Sequence, residues 1–189
     1  MPPSARRFST SKTMARAPPS RTTPEAPPPT GLARKLAEGR FVISVEIDPP
    51  RSVNIERTLE SARLIREAGA DLVNISDSAM ARVRMGAMSV GFAIQRDVGL
   101  ESLIHFTTRD RNLMALESEL LGAHALGIRD ILALTGDHPV SGYGGNASPV
   151  FDFDSVGLIS LLKAMNDGLE IPARRGGTEA LPPTDFFIG

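Results

Sequence analysis

Glu46 lies inside the apolar, β-branched run FVISVEI at residues 41–47. A carboxylate on the inward face of such a strand is costly unless it is paired or functional. Burial among apolar neighbours raises a carboxyl's pKa and suits it to donate a proton near neutral pH. The plain alternative is a strand-end carboxylate in solvent. Ser76 and Asp77 follow a second apolar run (LVNI, 72–75), His105 falls in a third (103–106), and Asp137 follows a fourth (ILAL, 131–134). Successive strands delivering polar groups to one rim exceed chance placement, and such a rim can build an active site.

Other reactive residue types carry less. An apolar strand more often holds a core histidine than a working one, so His105 gains weight only from its company. His124 reads as a solvated helix residue and His138 as a loop residue without a partner. Three scattered histidines lacking a close carboxylate cluster make no metal site. The chain has no cysteine, which excludes disulfides, Cys-based zinc sites and a thiolate nucleophile. GYGG at 142–145 could cradle a phosphate, but a flexible loop is the simpler reading. RRGG at 174–177 reads as a solvated linker, and Met80, Met85, Met88 and Met114 read as helix packing.

Positioning such groups takes a repeating scaffold. Strand candidates begin at 41, 72, 103 and 131 and alternate with helix candidates at 54–68, 85–96 and 111–126. A fourth helix, capped by Asp154 or Ser155, carries Leu158, Leu161, Leu162 and Met165 at helical spacing. Residues 186–188 open a fifth strand. GADLV at 69–73 echoes GIRDI at 127–131, a glycine ending a helix before a buried strand. Repeated βα units with short apolar strands predict an α/β fold with a parallel sheet covered by helices. A Rossmann fold needs a glycine-rich turn after its first strand, where this chain has Asp48-Pro49-Pro50-Arg51. Polar strand ends favour a (β/α)8 barrel, whose sites lie at that rim.

Length and charge bound the rest. The 189 residues suffice for one domain with a real core, and the net charge of −1 points to neither nucleic acid nor an anionic membrane surface. No apolar run approaches the ~20 residues that span a bilayer. Residues 1–31 are rich in Pro, Ser, Thr and Arg and are read as a disordered tail, leaving 32–189 as the folded part. The tail's early Arg and Lys residues superficially suggest an organellar transit peptide, but Pro2, Pro3, Pro18 and Pro19 oppose an amphipathic helix. A plain tail or a misassigned start codon is preferred.

Three motifs resemble those of 5,10-methylenetetrahydrofolate reductases. Val45-Glu46-Ile47-Asp48-Pro49-Pro50-Arg51 resembles the family's first-strand signature, Ile104-His105-Phe106-Thr107-Thr108-Arg109-Asp110 its third-strand motif, and Leu134-Thr135-Gly136-Asp137-His138-Pro139 its fourth-strand motif. In this combination the sequence is closest to the reductase domains fused to homocysteine methyltransferases. The resemblance runs from about Phe41 to Gly189. It implies the opening four to five βα units of a (β/α)8 barrel, the N-terminal half of a reductase.

The implied reaction reduces 5,10-methylenetetrahydrofolate to 5-methyltetrahydrofolate with hydride from reduced FAD, NAD(P)H serving as reductant. Glu46 matches the family's general acid, and Asp137 matches the carboxylate that contacts folate and influences the flavin. Ser76, His105, Thr135, Gly136 and Asp137 match flavin-binding positions, with Asp154 or Ser155 near its phosphate-bearing tail. The family's place is one-carbon metabolism and methionine biosynthesis in the cytoplasm. Two departures stand out: Thr135 occupies a position that is often Arg, and Thr108 one that is commonly Cys. Since later strands of the family also contact flavin and folate, the expectation is a partial chain that needs its missing half or a partner copy. The alternative is a non-catalytic half-barrel that binds a partner or ligand through its open edge. A folate-binding methyltransferase-type barrel fits the Glu46 and Gly136-Asp137 motifs less well.

Overall fold

A computed structural model of the chain describes residues 30–142, 146–174 and 176–189. The tail expected over 1–31 lies outside the described residues, apart from Thr30 and Gly31. A short helix, α1 (Gly31–Ala37), precedes β1 (Ser44–Ile47), α2 (Glu56–Glu67), β2 (Leu72–Ile75), α3 (Ala87–Val98) and β3 (Glu101–Thr107). Then come α4 (Leu113–Ala125), β4 (Asp130–Leu134), α5 (Ser155–Asp167), β5 (Glu170–Pro172), β6 (Thr178–Ala180) and β7 (Phe187–Ile188). Five strands form one parallel sheet in the order β1-β2-β3-β4-β7. A doubly wound sheet reverses its order at a switch point, and this order has no reversal.

The two sheet faces differ in what covers them. Val73, Ile75, Ser102, Ile104, Phe106 and Ile131 are 0% exposed and pack with Val90 and Ile94 of α3, Leu116 and Leu120 of α4, and Leu158 and Leu162 of α5. Each such aliphatic burial stabilises the fold by about 1.5–3 kcal/mol. The opposite face follows from the register. Glu46 lies beside Asn74, Asn74 beside Leu103, and His105 beside Leu132, all pointing the same way. On this face Glu46 is exposed, and Asn74, Leu103, His105, Leu132 and Leu134 are half-buried. Among the described residues the sheet is therefore closed on its helical side and open on the other.

Local chemistry sets the element ends. Gly69 and Gly127, the echoed pair, both take left-handed φ (+88° and +86°) after their helices. Asp154 is the cap of α5, accepting from the Gly157 N–H at 2.8 Å, and Ser155 is the first helical residue. Two elements go beyond the sequence reading. Helix α1 is capped by Thr30 and held by Glu101, whose carboxylate accepts from the N–H groups of Gly31 (2.8 Å) and Leu32 (2.7 Å). Of the stretch 174–177, Arg175 lies outside the described residues, and Arg174, Gly176 and Gly177 belong to the turn of an antiparallel β5–β6 hairpin, where the Ala173 N–H donates to the Gly177 carbonyl at 3.0 Å. Met85 and Met88 pack against the core as expected, whereas Met80 and Met114 are 56% and 78% exposed.

Candidate active site

The first two strands end in a clamped Pro-Pro turn. The Ser76 N–H donates to the Ile47 carbonyl at 3.2 Å, extending the β1–β2 ladder, and the Ser76 hydroxyl donates to Asp48 Oδ1. Arg84 pairs with Asp48 Oδ2 at 3.0 Å and donates to the Pro49 carbonyl at 3.0 Å. Ser76 is buried, so its proton is committed to Asp48 and its remaining capacity is as an acceptor. Glu46, one residue before this clamp, is exposed on the open face. The expectation of a buried acid is therefore corrected: its neighbours on that face do not enclose it.

The ends of β2 and β3 are joined by a buried carboxylate. Asp77 Oδ2 accepts from the Thr107 N–H (3.0 Å), the Thr107 hydroxyl (2.9 Å) and Arg111 Nη1 (2.6 Å). Arg111 also donates to Glu119 at 2.8 Å and lies 4.5 Å over the Phe106 ring. Arg109, 2% exposed, donates to the carbonyls of Ser78 (3.2 Å) and Asp77 (3.3 Å) and to the Asp110 carboxylate. His105 sits on the open face of β3. Burial pushes its imidazole below the ordinary histidine value, while the charges of Glu46 and Asp77 pull the other way.

The end of β4 meets the same assembly. Gly136 has φ +87°, and a Cβ there would lie 3.1 Å from the side chains of Thr107 and Arg109. Glycine is thus needed for both conformation and space. Asp137 is exposed, and its Oδ2 accepts from the Met80 N–H at 2.9 Å. That N–H belongs to a 3-10 turn (Ala79–Ala81) in which Met80 and Ala81, like the preceding Ser78, take left-handed φ without being glycine. The Thr135 hydroxyl accepts from the Ser155 N–H at 2.9 Å, so Thr135 and Asp154 both cap α5.

The expected site residues are thus assembled unequally. Ser76, His105, Thr135, Gly136 and Asp137 lie at neighbouring strand ends, linked through Asp77, Thr107 and Arg109. Asp154 and Ser155 join through the Thr135 cap. Among the described residues no hydrogen bond links Glu46 to Asp137. Asp77, Arg109 and Arg111 are the functional candidates that sequence reading passed over as site residues. Asp77 had been noted at a strand end, but its partners are 30 and 34 positions away. Among the described residues no group of His, Asp and Glu is arranged to hold a metal. His124 is not a free surface residue: its Nε2 bonds Asp185 at 2.8 Å and its ring meets Phe186 edge-on. His138 Nδ1 accepts from the Val140 N–H at 3.3 Å. No helix among the described residues is long and apolar enough to cross a membrane.

The arrangement offers an acid and an imidazole on one open face, with an apolar floor of Leu103, Leu132 and Leu134 and a second carboxylate at its rim. A cavity of about 280 Å³ opens beside Arg109, between the loops that follow β2 and β4. The family model for methylenetetrahydrofolate reductase matches residues 32–173. Over 139 residues the chain is 32% identical to a 5,10-methylenetetrahydrofolate reductase of Pectobacterium carotovorum subsp. carotovorum, covering 72% of this chain and 45% of that protein. Over 114 residues it is 30% identical to a probable methylenetetrahydrofolate reductase (NADPH) of Caenorhabditis elegans, covering 57% of this chain and 17% of that one. The match therefore spans less than half the length of either relative.

Proposed function

The chain belongs to the methylenetetrahydrofolate reductase family, and from that premise we propose that its open sheet face is the flavin and folate site of a reductase acting on 5,10-methylenetetrahydrofolate. The observation that carries this reading is that Glu46 and His105 share one open face of the sheet, on β1 and β3. The sheet is read as the first strands of a (β/α)8 barrel. The barrel's remaining strands would close over Glu46.

The residues present suit a flat, largely apolar ring system with a polar edge. Leu103, Leu132 and Leu134 give it a floor, His105 a hydrogen-bonding edge, and Gly136 a backbone free of any side chain at the mouth. FAD supplies the hydride when bound and is recharged by NAD(P)H. Ser76 would accept a hydrogen bond from the flavin, and Thr135 and Gly136 would offer it backbone contacts. Asp154 and Ser155 would hold the phosphate-bearing tail, with the Asp154 carboxylate serving the helix cap rather than the anion. Glu46 donates a proton to the folate nitrogen, so that the five-membered ring opens and its methylene accepts hydride. Asp137 orients the folate and exchanges its Met80 contact for the substrate. Closure of the barrel excludes water and moves Glu46 into the low-dielectric setting that raises a carboxyl's pKa.

A direct test is titration of the purified chain with FAD, read by flavin fluorescence, in the wild type and in His105→Ala. Saturable binding weakened about tenfold or more by the substitution supports the reading; equal affinity for both chains contradicts the placement of the flavin on this face. A non-catalytic half-barrel that takes a partner or ligand through its open edge is the second reading, favoured by the exposure of Glu46 on the edge strand β1. It predicts partner binding that Glu46→Gln leaves unchanged.

A further inference from the structure

Asp77 stands apart from every residue assigned so far. It is 7% exposed, yet it lies between two working strand ends and spends its hydrogen-bonding capacity on one of them. β2 ends at Ile75, while β3 runs on to Thr107, which leaves the Thr107 N–H without a ladder partner from β2. Asp77 supplies that partner and takes the Thr107 hydroxyl as well. Thr107 in turn packs its Cβ and Cγ2 where a Cβ of residue 136 would lie. The carboxylate thus touches the segment that fixes both His105, two residues back on the same strand face, and the Gly136-Asp137 turn.

A buried carboxylate needs a counter-charge, and Arg111 provides it at 2.6 Å, with its own orientation fixed by Glu119 and the Phe106 ring. The groups facing His105 can be named element by element. Glu46 stands on β1, Asn74 and Asp77 on and just beyond β2, and the uncharged Leu132 and Leu134 on β4. Both carboxylates draw on the imidazole, Glu46 more than Asp77; Glu46 is exposed to solvent, whereas Asp77 is buried and its charge is met by Arg111.

We propose that Asp77, held by Arg111, is a positioning residue of this site: it fixes the end of β3 and, with its counter-ion, sets the charge carried by the His105 imidazole. The proposal rests on the flavin reading only for its consequence in catalysis. For its physical content it rests on the Asp77–Thr107–Arg111 geometry. A neutral imidazole can donate from one nitrogen and accept at the other, which is the state an Asp77 neutralised by Arg111 leaves in place. An unpaired Asp77 would draw a proton onto it.

The test follows the His105 imidazole of the full 189-residue chain by NMR across pH, in the wild type, Asp77→Asn and Arg111→Met. Asparagine keeps the shape and an oxygen for the Thr107 N–H, so the strand end persists while the charge is lost. The expected result is a His105 midpoint that falls in Asp77→Asn and rises in Arg111→Met. A merely structural role gives a different pattern, because loosening the strand end re-solvates His105 and raises the midpoint in both variants. An unmoved or raised midpoint in Asp77→Asn overturns the proposal. Should Asp77→Asn fail to fold, Arg111→Met decides. A rise past the ordinary histidine value of about 6.5 supports the proposal, since exposure alone stops there, and a smaller rise or none overturns it. Flavin titration of the same samples separates the two claims. If the wild type takes up no FAD, the functional reading fails while the His105 midpoints still decide the role of Asp77. If the wild type binds FAD, Asp77→Asn is expected to weaken binding about tenfold, and an unchanged affinity overturns the positioning role.

Discussion

Asp130 carries the clearest pH signature in the molecule. It is 1% exposed at the start of β4, and its Oδ1 has no hydrogen-bond partner among the described residues. Burial pushes its carboxyl up from 3.8 to about 7, opposed by a hydrogen bond to Thr30 and reinforced by the neighbouring Glu101. Over that window the folded chain holds a proton that the unfolded chain has lost. Stability contributed by this group is therefore present at low pH and falls as pH rises through the window. Asp130→Asn is expected to raise stability above pH 7 by about 1–3 kcal/mol and to do little near pH 4. Urea denaturation at pH 5 and pH 8 reads this directly, and an equal effect at both values contradicts it. At the opposite rim, Ser76→Ala removes a buried hydroxyl and leaves Asp48 short of a donor. A loss of about 1 kcal/mol is expected in the same assay, against no loss if the bond contributes nothing. At this scale the sequence shows which residue types stand at strand ends, because β-branched runs and their flanking residues are local. It does not show exposure or partnership. Glu46 is open because its face is uncovered, and His124 is partnered by Asp185, which is 61 residues away.

At the scale of elements, β2 and β4 and helices α2, α4 and α5 follow from apolar periodicity and glycine stops, with boundaries moved by a few residues. α1 was missed because a helix of 7 residues has too short a pattern, and what holds it is Glu101, about 70 positions on. The β5–β6 hairpin was missed because Pro172 and the glycines of its turn imitate a linker. The loops at the mouth are more constrained than their composition implies. At Gly136, an added methyl group meets both a left-handed φ and side chains at 3.1 Å. Gly136→Ala is expected to lower stability by about 1–3 kcal/mol and to shift the backbone amide signals of Asp137 and Met80, since one bond joins them. Thermal unfolding with NMR of those amides checks both parts. Unchanged amides would mean that the turn does not place Asp137.

At the scale of the whole molecule, one closed face and one open face decide behaviour. Half-buried Leu103, Leu132 and Leu134 and the sheet's two edge strands, β1 and β7, present apolar surface and unpaired backbone. Such edges pair with other chains unless covered. Concentration-dependent association is expected in sedimentation velocity runs, and Leu132→Lys is expected to reduce it. A strictly monomeric wild type at tens of micromolar, roughly, would contradict this. The parallel order and the strand-end rim were legible because each βα unit repeats a local signal; the open face was not, since it depends on what lies across it. The same face bears the central claim. The most direct measurement reduces the FAD-loaded chain without oxygen, adds 5,10-methylenetetrahydrofolate and follows the return of oxidised flavin absorbance in the wild type and in Glu46→Gln. The account predicts reoxidation with formation of 5-methyltetrahydrofolate in the wild type, alone or with a complementing half, and a rate at least ~100-fold lower in Glu46→Gln with flavin still bound. Reoxidation at equal rates in both chains would contradict it.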